Sequence, residues 1–191
     1  MAFLAPSQTS RARRKLFAID AAIERRVDAH ETPTLDHIAY PLSSAADHGM
    51  LWHAIGLARA IRTGDPMFAA RFSSAMAVES FVTNVVVKSV FRRIRPHRPI
   101  DAPLLYGLRR PITSSFPSGH ATAAFCAATL LAKGSRSALP WYVLASMVAS
   151  TRVYVRLHHT SDIVAGAALG VALGYALRPL VAPSSSPEES G

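Results

Sequence analysis

Apolar residues in this chain gather into runs of helical length, which charged, glycine-containing or proline-rich stretches separate. The better-defined runs span residues 49–61, 68–90, 121–132 paired with 137–151, and 163–177. Most are about 13–17 residues long. That is short of the roughly 20 residues of a typical membrane-spanning helix, but flanking Arg and Lys can extend a span by snorkelling. The pattern, which contains no strand-like alternation, predicts an all-α, membrane-embedded bundle of about five to six helices.

An amphipathic helix is predicted ahead of the bundle, from Ser10 to about His30. Its apolar residues recur at intervals of three and four, at Leu16, Ile19, Ile23 and Val27. Its beginning is basic, with Arg11, Arg13, Arg14 and Lys15. Two interpretations stay open: the helix lies on anionic lipid, or it packs on the rest of the domain.

The chain is predicted to form one domain with flanking segments. The N-terminal helix covers residues 1–32, the helical bundle covers 33–182, and a tail covers 183–191. The first eight residues and the tail are predicted to be disordered.

Composition narrows the class of protein. Half of the 191 residues are hydrophobic, 17% are charged and the mean hydropathy is +0.20, which is too apolar for a typical soluble enzyme. The net charge of +9 indicates an acidic partner (nucleic acid, anionic lipid or a phosphorylated substrate) or a solvated basic surface. Because aromatic residues are few and do not interleave with basic ones, nucleic acid is not expected. Cys126 is the single cysteine, so an intrachain disulfide and a thiolate metal site are excluded.

Three polar clusters lie at the ends of the predicted helices. In the first, Ser118 is a good helix N-cap, and Gly119 lets a ligand approach the backbone closely. His120 follows at the mouth of the 121–132 run. The free N–H groups of such a helix start form a natural anion site.

The second cluster is cationic. Lys88, Arg92 and Arg95 are spaced by four and three, so a helix that continues past Lys88 carries them on one face until Pro96 stops it. A row of fixed cations suits phosphate oxygens, although a basic membrane-flanking stretch explains the same pattern.

The third cluster lies between the last two apolar runs. Asp162 follows His158 by four residues, so its carboxylate could hold one imidazole nitrogen and leave the other free for chemistry. Arg152 adds a cation one to two turns earlier. If successive helices alternate across the bundle, the three clusters meet, and we expect the active site at the helix ends on one face.

Together these residues resemble the three signature motifs of the type-2 phosphatidic-acid phosphatase family. That family shares its core with vanadium haloperoxidases and bacterial acid phosphatases. The motifs run from Lys88 to Arg95-Pro96, over Pro117-Ser118-Gly119-His120, and from Arg152 through His158 to Asp162. Thr151 departs from the pattern, since the family usually has serine there, but threonine keeps the hydroxyl group.

The resemblance implies a metal-independent lipid phosphatase and a role for each residue. His158 would be the nucleophile that forms a phosphohistidine, and Asp162 would orient it. His120 would protonate the leaving alkoxide and then activate water. The phosphate would be bound by Lys88, Arg95, Ser118, Gly119 and Arg152. We expect no metal and no cofactor, because positioning and charge neutralisation suffice for phosphoryl transfer.

The implied substrates are lipid phosphates: phosphatidate, phosphatidylglycerophosphate, or polyprenyl phosphates and diphosphates. The Ala45-Ala46-Asp47-His48 stretch resembles small actinobacterial members, which favours a polyprenyl-linked phosphate such as decaprenyl-phosphoryl-ribose 5-phosphate. A vanadate-dependent haloperoxidase and a catalytically silent lipid-phosphate-binding protein are the alternatives.

The expected location is a bacterial plasma membrane. No secretory signal opens the sequence, so a soluble exported enzyme is not expected. Arginines on the site side outnumber basic residues on the opposite side, which favours a cytoplasm-facing site. Four further residues near the motifs match no family position and are candidates for a supporting or substrate-gating role: Arg92, His97, Arg98 and His159.

Overall fold

The computed structural model describes residues 11–96 and 113–182, and these ranges contain helices and no strand. The helices are α1 (Arg11–Asp28), α2 (Pro33–Ala45), α3 (Met50–Thr63), α4 (Pro66–Phe81), α5 (Lys88–Val90), α6 (Gly119–Ala132), α7 (Leu139–Tyr154) and α8 (Thr160–Val181). A 3-10 turn spans Asp47–Gly49, and a π-helical segment, Val82–Val87, joins α4 to α5. The predicted all-α fold is confirmed. The segments predicted to be disordered lie outside the described residues, as do His97 and Arg98.

Side-chain caps set where helices of the bundle begin. Thr32 accepts a hydrogen bond from the Leu35 amide at 3.3 Å, directly before Pro33 opens α2. Asp65 accepts one from the Phe68 amide at 3.1 Å ahead of α4. Each cap satisfies an amide that has no partner within its helix, so these starts are encoded locally.

Helix α6 forms the centre of the bundle and packs against α3, α4, α7 and α8. Most of its residues are buried, and most of these are small; the buried hydrophobic ones are Ala121, Ala124, Cys126, Ala127, Ala128, Leu130 and Leu131. Small side chains let neighbouring backbones approach the central helix closely.

Glycines spaced by four on α8 set its contact with α6. A Cβ atom at Gly166 would lie 2.7 Å from the Ser118 carbonyl oxygen, and one at Gly170 would overlap the carbonyl oxygen of Thr122. The α8 backbone therefore lies directly on α6, with no room for a side chain between them.

The helix that carries Lys88 ends at Val90, and residues 91–96 are not helical. The prediction that this helix continues to Arg95 is wrong. The segment instead pairs with the loop before α6, where the Ser115 amide donates to the Arg93 carbonyl at 3.0 Å. The proline at position 96 also disfavours a helical conformation at Arg95.

Helix α8 is longer than the predicted run 163–177. It passes Pro179 and ends at Val181, because a proline in the last turn removes a single hydrogen bond. Its most apolar 18-residue stretch has a mean hydropathy of 1.6. Among the described helices, α8 is the one that is long and apolar enough to cross a membrane, and α6 is apolar but shorter.

The contact between α6 and α8 gives a stability prediction. Gly170→Ala gains about 1 kcal/mol in helix propensity but places a methyl group on the Thr122 carbonyl. We therefore expect a net loss of about 1–3 kcal/mol in the free energy of unfolding, measured by thermal unfolding in detergent micelles. Ala168→Leu, on the exposed side of the same helix, is the control. Equal melting temperatures for the two variants would contradict the prediction.

Candidate active site

A cavity of about 820 Å³ opens beside the start of α6. Its wall includes residues from all three predicted clusters: Lys88, Arg95, Gly119, His120, Arg152 and His158. The structure thus brings the three clusters together at helix ends. Arg92 is exposed and is not part of the wall. Among the described residues, no group of three or more His, Cys, Asp or Glu is arranged to hold a metal ion.

His158 is held in one tautomer by two neighbours. Its Nδ1 lies 2.8 Å from the Ser115 carbonyl oxygen, and its Nε2 lies 3.2 Å from Nη1 of Arg95. Because a carbonyl can only accept and a guanidinium can only donate, Nδ1 carries the proton and Nε2 keeps its lone pair. A lone pair on Nε2 is what a nucleophilic imidazole needs.

Burial keeps this imidazole uncharged. The residue is 2% exposed. Burial, assisted by the charges of Arg95 and Arg152 and opposed by Asp162, lowers the pKa of His158 to about 3. The ring is therefore neutral at physiological pH and does not need to lose a proton before it attacks.

Asp162 lies beside His158 but contacts other groups more closely. Its Oδ2 is 3.6 Å from Nδ1 of His158 and accepts a hydrogen bond from the His159 amide at 2.9 Å. Its Oδ1 lies 2.6 Å from Nη1 of Arg93. Nδ1 of His158 donates the hydrogen bond that orients the ring to the Ser115 carbonyl, and Asp162 adds a negative charge beside it.

The cations of the cavity are fixed by the protein around them. Arg152 is 1% exposed; its Nη1 donates to Ser43 and lies 3.8 Å from the Asp47 carboxylate. Arg95 donates to the Leu157 carbonyl at 2.6 Å. Burying the Arg152 guanidinium is unfavourable unless anions balance its charge, and an anion bound in the cavity would add to the balance that Asp47 gives.

Ser118 and Gly119 occupy different positions at the start of α6. Ser118 is fully buried and caps the helix, accepting from the Ala121 amide at 3.4 Å, as expected of an N-cap. It is not part of the cavity wall, whereas Gly119 is. A Cβ atom at Gly119 would lie 3.4 Å from Nζ of Lys88. The missing side chain lets Lys88 and the free N–H groups of the helix converge on one point.

The second histidine of the site faces a carboxylate. Nε2 of His120 lies 2.8 Å from Oδ1 of Asp47, which begins the 3-10 turn before α3. Burial opposes the charge of Asp47, but His120 and Arg152 outweigh it and hold the pKa of this carboxyl below its usual value. The two histidines therefore differ in their nearest acceptor: a carbonyl at 2.8 Å for His158, with the Asp162 carboxylate farther away at 3.6 Å, and a carboxylate at 2.8 Å for His120.

Comparison with known proteins identifies the family. Residues 68–185 match the PAP2 superfamily, and this range contains all three clusters. The chain belongs to that superfamily. It is also 31% identical to the decaprenylphosphoryl-5-phosphoribose phosphatases of two mycobacteria. The match to the Mycobacterium tuberculosis protein covers 73% of this chain and 77% of the relative. For Mycolicibacterium smegmatis the shares are 79% and 78%.

The PAP2 fold has a solved counterpart. A transmembrane PAP2 type phosphatidylglycerolphosphate phosphatase from Bacillus subtilis superimposes with a TM-score of 0.69 at 22% identity, covering 90% of this chain and 87% of that one. A shorter similarity links the chain to the lipid A 1-phosphatase of Porphyromonas gingivalis, 41% identical over 75 residues and 16% of the relative's length. The structural likeness supports the arrangement of the helices.

Helix α1 precedes the PAP2 match but contacts the loop that carries the third motif. Asp20 accepts hydrogen bonds from the Ser161 amide at 2.9 Å and from Arg93 at 2.7 Å. Glu24 lies 2.6 Å from Nδ1 of His159. Through its acidic side, therefore, α1 packs on the domain, as one of the two interpretations of this helix expected. Its apolar residues Leu16, Phe17 and Ile19 remain 44–56% exposed.

Sequence reasoning missed four groups of this PAP2 site: the Ser115 carbonyl, Arg93, Asp20 and Asp47. Every residue has a backbone carbonyl, so a pattern of residue types cannot show which carbonyl contacts a site. Asp20 and Arg93 are 73 positions apart, so only the fold brings them together. Asp47 carried a weak signal, since it precedes a histidine and a glycine between two predicted helices.

Removing the guanidinium of Arg93 should destabilise the site. Arg93→Ala leaves the fully buried Asp162 carboxylate without this ion pair, and we expect a loss of about 3–5 kcal/mol in the free energy of unfolding. Arg92→Ala removes an exposed neighbour and should change it by about 0.5 kcal/mol or less. Denaturation of both variants in detergent micelles measures the difference. Similar losses would show that Arg93 is not a structural partner of Asp162.

Proposed function

We propose that the protein is a metal-independent lipid phosphatase that acts through a phosphohistidine. The observation that carries the proposal is the state of His158. Its imidazole is buried and neutral, and the lone pair of its Nε2 is directed at Arg95, which lines the cavity that would accept the phosphate. Membership of the PAP2 superfamily and similarity to relatives named as lipid phosphatases support it.

The chemistry divides into two transfers. Nε2 of His158 attacks phosphorus, and the N–P bond forms as the bond to the leaving oxygen breaks. His120 gives its proton to that oxygen. Water then attacks the phosphohistidine, returns a proton to His120 and releases phosphate with free His158. Charge on the phosphoryl oxygens is neutralised by Lys88, Arg95, Arg152 and the first amides of α6.

Asp162 has an electrostatic role in this scheme. The His158 ring becomes cationic when Nε2 bonds to phosphorus, and a carboxylate 3.6 Å from Nδ1 stabilises that charge. Ser118 contributes by capping α6, which fixes the position of the Gly119 amide.

The bundle is suited to a membrane, with the site at the lipid–water boundary. Large apolar side chains are exposed on several helices: Leu57, Ile61, Val78, Phe81, Val143, Met147 and Val164 are 41–75% exposed. Such a surface fits lipid tails better than water. Arg92, Arg95 and Arg152 lie on the site side, so the positive-inside tendency favours a site that faces the cytoplasm of a bacterial plasma membrane.

The cavity wall favours a substrate with hydroxyl groups next to the scissile phosphate. Besides the phosphate-binding cations, it contains hydrogen-bonding side chains from α3, α4 and the π-helical segment, among them His53, Glu79, Ser80 and Asn84. A sugar phosphate can use these groups, whereas diacylglycerol offers esters and hydrocarbon. The relatives named decaprenylphosphoryl-5-phosphoribose phosphatase point to the same class. Phosphatidate, phosphatidylglycerophosphate and polyprenyl diphosphates are the alternative substrates.

The nucleophile is tested by His158→Ala, which should lower phosphate release by roughly 10³-fold or more, because no other group replaces the attacking nitrogen. The parent protein should hold an acid-labile, alkali-stable phosphate label during turnover, and the variant should not. His30→Ala, which removes an exposed histidine outside the cavity, should retain both properties. Full activity in the His158 variant would overturn the mechanism, and so would an activity lost in EDTA and restored by magnesium.

The substrate class is tested with a panel in EDTA: decaprenylphosphoryl-5-phosphoribose, phosphatidate, phosphatidylglycerophosphate and undecaprenyl diphosphate. We expect the highest kcat/KM for the phosphoribosyl lipid. Asn84→Ala removes one hydrogen-bonding group and should lower kcat/KM for that substrate by roughly 2- to 10-fold, with little effect on phosphatidate. Ser89→Ala, in the adjoining helix α5 and outside the cavity wall, is the control. A preference for phosphatidate in the parent would contradict the sugar assignment.

A further inference from the structure

We propose that Asp47 is the positioning partner of His120 in proton transfer, which extends the site beyond the three PAP2 motifs. The proposal rests on the phosphatase mechanism given above. It assigns a function to a residue that lies outside the matched range 68–185 and on a different segment from every motif residue.

The contact itself is the first support. Oδ1 of Asp47 lies 2.8 Å from Nε2 of His120, and both side chains belong to the cavity wall that also includes His158. A carboxylate at this distance stabilises the imidazolium form, which is the form that donates a proton to a leaving alkoxide. Because Asp47 occupies the Nε2 side of the ring, proton exchange with substrate and water would run through Nδ1.

The backbone around Asp47 is the second support. His48 has φ 54° and Gly49 has φ 73°, so two successive residues adopt the left-handed conformation directly after Asp47. A residue other than glycine, such as histidine, uncommonly adopts this backbone conformation, and where it does the surrounding structure must hold it there. The turn continues into α3, whose Trp52 is 1% exposed in the core. The carboxylate is thus presented by a turn anchored in the bundle.

The charges around Asp47 are the third support. Nη1 of Arg152 lies 3.8 Å from its carboxylate and keeps it ionised next to His120. Without Asp47, His120 would lose its nearest anion, and the cations of the site would disfavour its protonated form more strongly. In the first half-reaction His120 must carry a proton to give away, and in the second it must accept one from water. A fixed anion beside the ring supports both states of this cycle.

The test uses two substrates that differ in their need for an acid. The leaving alkoxide of decaprenylphosphoryl-5-phosphoribose requires a proton, whereas p-nitrophenolate leaves without one. We compare kcat/KM, because it reports the steps through departure of the leaving group and not the later hydrolysis. For Asp47→Asn we expect a fall of roughly 10- to 100-fold on the lipid, less than the full contribution of a general acid, and little change on p-nitrophenyl phosphate. Asp47→Glu should recover part of the loss.

The ratio of the two kcat/KM values does not depend on how much of the variant is folded, so partial misfolding cannot mimic the effect. Glu31→Gln, which neutralises an exposed carboxylate outside the cavity, should leave the ratio unchanged. An equal fall on both substrates, or total loss on both, would overturn the proposal. So would an unchanged kcat/KM on the lipid, or a fall in KM on both substrates, which would mean that Asp47 only occupies the phosphate position.

Failure of the phosphatase mechanism gives a different result. If the parent protein hydrolyses neither substrate, or if His158→Ala remains active, the proposed function is wrong. If the parent is active and His120→Ala shows the selective loss on the lipid but Asp47→Asn does not, only the role of Asp47 is wrong.

Discussion

The close contact between α6 and α8 is the constraint on which the site depends. Gly166 lets the α8 backbone approach the Ser118 carbonyl, and the Ser118 amide donates to the Asp162 carbonyl at 3.1 Å. The first turns of both helices are therefore joined directly by backbone groups. The α6 start carries His120, and the loop before α8 carries His158, so one packing contact fixes the spacing of two histidines that are 38 positions apart.

The second requirement of the site is to hold several charges in a largely buried volume. Carboxylates and cations alternate across it: Asp20 and Asp162 flank Arg93, and Asp47 lies between His120 and Arg152. Alternation lowers the penalty for burying each charge, because each has a neighbour of opposite sign. Lys88 and Arg95 line the same cavity as His158, and the phosphate of a substrate bound there would add negative charge beside them.

Some of the helices and site contacts could be predicted from the sequence, and others could not. The apolar runs predicted the helices. The positions of Lys88, His120 and His158 at their ends predicted one site, because helices that alternate across a bundle bring these ends to one face. The end of the helix at Val90 was not predicted, since it depends on residues 91–96 pairing with the loop at Ser114 and Ser115. The docking of Asp20 could not be predicted either, because an amphipathic pattern leaves open which side of a helix faces the protein. Here the acidic side does; of the apolar stripe, Leu16 and Ile19 are exposed, whereas Ile23 and Val27 are half-buried.

The surroundings of the two histidines explain why one chain needs both. A nucleophile works best with its proton fixed on the remote nitrogen, and the Ser115 carbonyl does this for His158 while the charge of Asp162 stays 3.6 Å away. An acid that becomes a base within one catalytic cycle needs instead an environment that tolerates its cation, which a carboxylate provides. If His158 had the carboxylate of Asp47 at 2.8 Å, it would hold a second proton more readily and lose its nucleophilic lone pair. If His120 had only a carbonyl, no anion would stabilise its cation beside the cations of the site. The division of labour thus follows from which acceptor each ring faces, and this is decided by the loop before α6 and the turn before α3.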